Sequence, residues 1–135
     1  MLATPAVGTA AYLQGVAPKV GFEDCAVVFA TGQRTCVPVH CYDGVIVTDE
    51  WAPLDPAGGH QRKYYAPGVG NVRVAAAGGA DPEVLQLTKF TKLCAAALGK
   101  IRNLALAQDR RGYSVVPNVY GKTPPAQKTL TAPTC

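Results

Sequence analysis

Residues 63–70, Lys-Tyr-Tyr-Ala-Pro-Gly-Val-Gly, are the feature that most constrains the fold of this chain. Pro67 and Gly68 suit the central positions of a type II turn, because proline presets φ and glycine accepts a positive φ. A tyrosine-bearing stretch at 60–66 precedes the turn, and a stretch with alternating valines follows at 70–77. The segment lacks the third glycine and the following helix of a phosphate-binding loop. It therefore predicts an antiparallel hairpin.

The other residues before position 91 are typical of short strands separated by turns. We predict a hairpin of residues 25–31 and 34–39 around Thr31-Gly32-Gln33, and a second turn at Asp43-Gly44. Further strands are expected at 45–51 and 83–90, with a short edge strand near 10–13. The predicted fold is mainly β (α+β): an antiparallel meander or half-barrel sheet of about six strands.

The period of the apolar residues changes near Leu93, from where they recur at helical spacing. The spacing predicts a helix over 93–110, ended by Gly112. Four prolines beyond Tyr113 favour an extended tail. We predict one domain over 1–135, with a loose lead-in at 1–21, a β meander at 22–90, the helix packed on the sheet, and the tail at 113–135.

Composition and charge place the chain among folded globular proteins, since 48% of residues are apolar and 16% are charged. The net charge of +4 is uneven. Residues 1–88 hold five basic and eight acidic residues, net −3, and residues 89–135 hold eight basic and one acidic, net +7. Because no dense basic run appears, we interpret the basic part as a solvated helix face and tail, and we expect no nucleic-acid partner.

Five cysteines, at positions 25, 36, 41, 94 and 135, lack the Cys-x2-Cys spacing of a metal site. We expect no metal and no cofactor, and a disulfide-permissive compartment that is secreted or periplasmic. The disulfide candidates are Cys25, Cys36, Cys41 and Cys94, with Cys135 left over. A cross-strand bridge between Cys25 and Cys36 fits the predicted hairpin. Residues 1–15 lack signal-peptide features, and no apolar run is long enough for a transmembrane helix.

Trp51, Tyr64 and Tyr65 are the candidate ligand-binding residues, because neighbouring strands are expected to place these rings close together. The alternative is that the three rings pack across strands and fix the register. No catalytic residue is assigned, and no hydrolase or nucleotide-binding motif is present.

Two polar groups are further candidates for chemistry. His40 and Cys41 are adjacent, but neighbouring residues of a strand point to opposite faces, which disfavours a Cys–His pair. Asp49, Glu50 and Asp55 flank Trp51, and we interpret these carboxylates as solvated or as paired with Arg62 and Lys63.

Residues 48–56, Thr-Asp-Glu-Trp-Ala-Pro-Leu-Asp-Pro, followed by 63–70, resemble a family of uncharacterised exported bacterial proteins. That family carries Glu-Trp-x-Pro-Leu-(Asp/Glu)-Pro and then Lys-Tyr-Tyr-Ala-Pro-Gly-Val-Gly. The resemblance is good over about 40–75, and 21–25 and 41–45 also match the approach to the motif. It implies a secreted or periplasmic β-sheet protein, more loosely like the half-barrel sheets of periplasmic lipoprotein-like carriers, and it implies no activity. The chain departs from the family in lacking a signal peptide and an upstream β region.

Taken together, these features favour a non-enzymatic exported β-sheet module that binds an apolar ligand or a protein partner. One alternative is a structural protein that self-associates through sheet edges, the odd cysteine and the tail. A second is a hydrolase-type enzyme that uses Cys41 or an Asp49/Glu50/His60 group. A third is binding of anions or nucleic acid by the basic C-terminal part.

Overall fold

The computed structural model describes residues 1–80 and 82–127. It divides into two compact units, Met1–Phe90 and the residues from Thr91 onward. The first unit is a sheet of six antiparallel strands in sequence order, which confirms the predicted meander. The strands are β1 (Tyr12–Ala17), β2 (Phe22–Val37), β3 (His40–Trp51), β4 (His60–Ala66), β5 (Gly70–Ala76) and β6 (Leu85–Gln86).

The hairpin of β4 and β5 matches its prediction, because its signals are local. Val69 donates its N–H to the Ala66 carbonyl at 3.2 Å, and Gly68 has a φ of 71°. These are the hydrogen bond and the positive φ of a type II turn with Pro67 at its first central position. The turn thereby fixes the register in which Lys63 lies opposite Val74 and Tyr64 lies opposite Arg73.

The predicted turns at 31–33 and 43–44 are wrong, because both segments lie inside long strands. Gly32 and Gly44 each have a φ of 66°, and the β2–β3 register shifts next to both. The left-handed glycines are therefore used for bulges rather than for chain reversal. The reversal occurs at Pro38-Val39, since Val37 pairs with His40.

This topology also corrects the cysteine pairing. Cys25 and Cys36 lie in the same strand, β2, so they cannot bridge across a hairpin. Cys36 is instead joined to its direct cross-strand partner Cys41. Cys25 is a free thiol opposite Trp51, Cys94 precedes the helix, and Cys135 lies outside the described residues.

The buried side of the sheet changes along β3. Val45 and Val47 are buried with Ala66 and Val72 in one apolar cluster. From Thr48 onward the buried residues are Thr48 and Glu50, which point to the opposite face. Ala26 and Val28 lie opposite these two on β2 and are buried with them. The other buried residues of the sheet are alanines, valines and threonines, so Glu50 has the longest side chain among them.

The second unit contains α1 (Ala95–Val115) and α2 (Pro117–Tyr120). The predicted helix is confirmed, but it begins two residues later and ends five residues later than expected. Gly112 lies inside α1, and the N–H of Val116 donates to the Gly112 carbonyl at 2.8 Å. The prediction of an extended tail from 113 is wrong as far as Tyr120, because Pro117 starts α2 at a position where its missing N–H is not required. No helix in the described ranges has the length and apolarity to cross a membrane.

The expectations of one domain over 1–135, with the helix packed on the sheet, stay predictions. The edge strands differ from their predicted bounds. β1 extends to Ala17, well beyond the predicted 10–13, and β6 is limited to Leu85–Gln86 within the predicted 83–90.

Candidate functional site

Glu50 is the least expected buried residue of the sheet unit, with 3% of its surface exposed. Its carboxylate accepts hydrogen bonds from the Thr48 hydroxyl and, at 2.9 Å, from the Tyr65 hydroxyl. The Lys63 ammonium lies 2.9 Å from its other oxygen. We call Glu50, Thr48, Lys63 and Tyr65 the carboxylate network. Such a network compensates the desolvation of a buried charge, which would otherwise be costly.

The electrostatics of the network keep Glu50 ionised. Burial acts to raise the pKa of Glu50, but the hydrogen bonds from Thr48, Lys63, Gln14 and Tyr65 outweigh it and hold the pKa below its ordinary value. Burial and the charge of Glu50 raise the pKa of Tyr65 well above its usual range. Tyr65 is therefore a fixed donor and Glu50 a fixed acceptor near neutral pH. A general acid or base needs a pKa near the working pH, which neither group has.

The charge of Glu50 also contributes to the raised pKa values of two further groups, Tyr12 and Asp24. Burial, followed by the charge of Glu50, raises the pKa of Tyr12, which lies in the same cross-strand row as Glu50. Burial and the charge of Glu50 also raise the pKa of Asp24, although Lys63 opposes this. The charge of Glu50 on β3 therefore affects the pKa values of residues on β1, β2 and β4.

An apolar pocket of about 410 Å³ lies against the β4–β5 turn, and we call it the hairpin pocket. Its volume falls in the range of small-molecule sites, about 300–1,000 Å³. Among the lining residues, Tyr65 also belongs to the carboxylate network. Its hydrogen bond to Glu50 therefore fixes the position of its side chain. The pocket is lined by Met1, Ile46, Tyr65, Ala66, Pro67, Gly68, Val69 and Gly70.

The three aromatic candidates do not share one site. Tyr64 is next to Tyr65 on β4 and points to the opposite face, where it packs against the Val45 cluster with the Arg73 guanidinium 4.9 Å from its ring. Trp51 stacks on His60, its direct cross-strand partner, with ring centroids 5.1 Å apart. Tyr64 and Trp51 make the cross-strand contacts of the packing alternative, Trp51 also lines a smaller cavity of about 150 Å³, and Tyr65 lines the hairpin pocket. A ligand at any of the three residues stays a prediction.

The Asp49/Glu50/His60 group does not converge. His60 Nδ1 lies 3.2 Å from Asp49 Oδ2, and Arg62 Nε lies 3.4 Å from Asp49 Oδ1, whereas Glu50 faces the other side of the sheet. The guanidinium of Arg62 also covers the ring of Phe29 at 3.4 Å from the centroid. Asp49 with Arg62 and Glu50 with Lys63 are thus the ion pairs expected from the sequence.

The cysteines offer no activated nucleophile at these positions. Cys41 is bonded to Cys36 and has no free thiol. The ring of the adjacent His40 contacts Tyr42 edge-on. Burial and the nearby charges of Glu23 and Asp24 raise the pKa of the Cys25 thiol, so it stays protonated near neutral pH. Within residues 1–80 and 82–127, no group of three His, Cys, Asp or Glu side chains is placed to hold a metal ion.

A cavity of about 610 Å³, lined by both polar and apolar residues, lies between the loop after β3 and the loop before β6. The two loops are joined by a hydrogen bond from the Ala80 N–H to the Ala57 carbonyl at 3.2 Å. Gln61 and Glu83 are hydrogen-bonded to each other at 2.6 Å and both line the cavity. Asp55, the third carboxylate weighed from the sequence, also lines it. Asp55 also lines a smaller cavity of about 150 Å³ together with Glu50, whereas Asp49 lines neither cavity.

Sequence reasoning missed the contributions of Thr48, Ile46 and Val69. Thr48 lies two residues before Glu50 on the same face, which the strand period shows once Glu50 is known to be buried. Comparison with known proteins adds no further assignment: no family model, no curated protein and no solved structure matches this chain.

Proposed function

We propose that residues 1–90 form a non-enzymatic binding module that holds an apolar small molecule in the hairpin pocket. The carrying observation is that Tyr65, whose hydroxyl donates to Glu50, lines a pocket whose other residues are apolar or glycine. Anchoring the ring before a ligand arrives lowers the entropic cost of binding. The resemblance of residues 48–56 and 63–70 to exported bacterial proteins supports a secreted or periplasmic location, and the Cys36–Cys41 disulfide agrees with an oxidising compartment.

The proposal is tested by titrating the protein with N-phenyl-1-naphthylamine, a neutral apolar fluorophore, and following its fluorescence. We expect saturable binding to the wild-type protein. Val69→Glu places a carboxylate in the pocket lining and should weaken binding by about 10-fold or more, because the charge must be desolvated by the ligand.

Val84→Glu is the matched control, because Val84 is 64% exposed and does not line the hairpin pocket. It should bind the fluorophore like the wild type. Circular dichroism checks that both variants fold. The proposal fails if the wild type gives no saturable signal, or if the two glutamate variants bind equally well.

A second candidate function is self-association through the free edge of β1. Leu13 and Val16 of this edge strand are 56% and 57% exposed. Exposed apolar residues on an edge strand favour pairing with another chain, and a lysine there opposes it. Light scattering after size exclusion should show an oligomer that Val16→Lys dissociates. A wild-type monomer, with and without reductant, would rule this function out.

A further inference from the structure

We propose that the Cys36–Cys41 disulfide is a thiol–disulfide exchange site that controls the affinity of the hairpin pocket. The inference rests on the proposed function and adds a regulatory element to the same site. It starts from the β2–β3 tip, which we define as residues 35–42. In the tip, Thr35 pairs with Tyr42 and Cys36 pairs with Cys41 on either side of the Pro38-Val39 turn.

The disulfide is open to attack from solvent. Cys36 is exposed, while its neighbours Thr35 and Val37 on β2 are buried. Exposed disulfides are the labile ones among protein disulfides, because a thiolate can approach the sulfur in line. A dithiol reductant can therefore reach Cys36 while the sheet stays folded.

The tip is connected to the rest of the sheet through irregular pairing. The β2–β3 register shifts between Ala30 and Gln33 and again between Gln33 and Thr35. Gly32 on β2 and Gly44 on β3 both adopt a φ of 66° in this region. Two left-handed glycines and two register shifts make this the point at which the tip can bend as a unit.

The tip also supports the wall of the hairpin pocket. Tyr42 and Val69 both pack against the apolar cluster to which Ala66 belongs, and Val69 and Ala66 also line the pocket. A Cβ at Gly44 would lie 3.7 Å from Pro67 Cγ, so the strand that leaves the tip passes directly beside the turn. Loosening the tip would move Tyr42 away from the apolar cluster that carries two of the lining residues of the pocket.

The chemistry is a two-electron exchange with a dithiol partner. A thiolate of the partner attacks Cys36 Sγ and forms a mixed disulfide, while Cys41 leaves as a thiolate and takes up a proton. The second thiol of the partner loses its proton, attacks the partner's own sulfur in the mixed disulfide and releases Cys36 as a thiol. The protein gains two electrons and two protons, and the partner becomes a disulfide.

The test compares N-phenyl-1-naphthylamine binding by the oxidised wild type and by Cys36→Ser/Cys41→Ser, which mimics the reduced pair. We expect affinity to fall by about 5-fold or more in the double variant, the lower range of allosteric coupling. Cys36→Val/Cys41→Val, with two strand-forming residues, replaces it if the serine variant does not fold. Cys25→Ser is the matched control and should bind like the wild type.

A second measurement follows reduction of the Cys36–Cys41 pair by dithiothreitol, using differential alkylation and peptide mass analysis at several low urea concentrations. We expect a rate that does not change with urea, since local opening exposes little surface. A rate that follows global unfolding would overturn the inference. Equal affinities of the oxidised protein and both double variants would also overturn it, whereas no binding by the wild type would remove the proposed function itself.

Discussion

The Lys63 ammonium lies 2.9 Å from Glu50 Oε2, and 3% of the Glu50 side chain is exposed. Removing one partner of such a pair leaves an uncompensated buried charge. Lys63→Met should therefore lower the free energy of unfolding by about 3–5 kcal/mol, measured by urea denaturation.

Glu50→Gln/Lys63→Met should recover part of that loss, because it removes both charges. Arg34→Met is the control, since Arg34 and Asp43 form a pair at 3.6 Å that is exposed on both sides. Its cost should stay below about 1 kcal/mol. Equal costs for Lys63→Met and Arg34→Met would contradict the buried network.

The pKa of Glu50, which folding lowers, predicts an acid-sensitive stability. A lowered pKa means that the carboxylate contributes fully above the unfolded pKa of about 4.3, and that the contribution disappears as the pH falls through the lower folded value. The free energy of unfolding should fall below about pH 4.3, and Glu50→Gln should show a weaker fall. Denaturant titrations at a series of pH values measure both slopes.

The raised pKa of Asp24 changes the free energy of unfolding with pH in the direction opposite to that of Glu50. Its protonated form is favoured in the folded state, so its contribution grows as the pH falls through the folded value. Because the charge of Glu50 is one cause of the raised pKa of Asp24, the comparison with Glu50→Gln is made in an Asp24→Asn background, which isolates the Glu50 part. Parallel acid profiles for the two proteins would mean that Glu50 is not held ionised by its neighbours.

Replacing each of the two adjacent tyrosines of β4 by phenylalanine removes one hydroxyl group at a time and gives a matched pair of variants. Tyr65→Phe removes the hydroxyl that donates to Glu50 and should cost about 1.5–3 kcal/mol, as for hydrogen bonds to charged groups. Tyr64→Phe should stay within about 0.5 kcal/mol, because Tyr64 stabilises the apolar cluster through its ring. Urea denaturation at neutral pH measures both.

Tyr65 also predicts a loss of stability in alkali. Because folding raises its pKa, its contribution is complete below the unfolded value of about 10 and falls as the pH rises above it. The wild type should lose stability above about pH 10, and Tyr65→Phe should lose less. If Tyr64→Phe flattened the alkaline profile instead, the assignment of the donor would be wrong.

The part of the fold that the sequence predicts is the part with local signals. Pro67-Gly68 and the valines that follow it produce the β4–β5 hairpin as expected, since turn type and strand period act over a few residues. Gly32 and Gly44 carry equally strong local turn signals, but the pairing of β2 with β3 uses them as bulges. The predicted pairing of Cys25 with Cys36 is wrong for the same reason, because it was inferred from a turn around Gly32.

The candidate site was predictable only in its parts. A glutamate between an aspartate and a tryptophan gives no local sign that it will be buried, and its partners Lys63 and Tyr65 are contributed by the next strand. The buried side of β3 changes between Val47 and Thr48, so a single alternating pattern cannot assign both ends of the strand to one face. These features depend on register and curvature, which are tertiary properties.

Gly112 and Gly99 of α1 predict opposite effects of the same substitution. A Cβ at Gly112 would overlap the ring of Tyr120, which also contacts Tyr113 edge-on at 5.6 Å. Gly112→Ala should therefore cost about 1–3 kcal/mol, as for overpacking. Apart from its two chain neighbours and the nearby backbone of α1, no described heavy atom lies within 4 Å of a Cβ at Gly99, so Gly99→Ala should gain about 0.4–1 kcal/mol through reduced entropy of the unfolded chain.

Thermal unfolding followed by the helical circular dichroism signal measures the two alanine variants. Gly112→Ala should lower the midpoint and Gly99→Ala should raise it. Gly112→Ala/Tyr120→Ala removes the overlapping ring and should recover stability relative to Gly112→Ala, because the added methyl group then has space and alanine favours the helix. If both single variants shifted the midpoint upward, the close packing of Tyr120 on Gly112 would not exist in solution, and the short helix α2 would not be held against α1 by this contact.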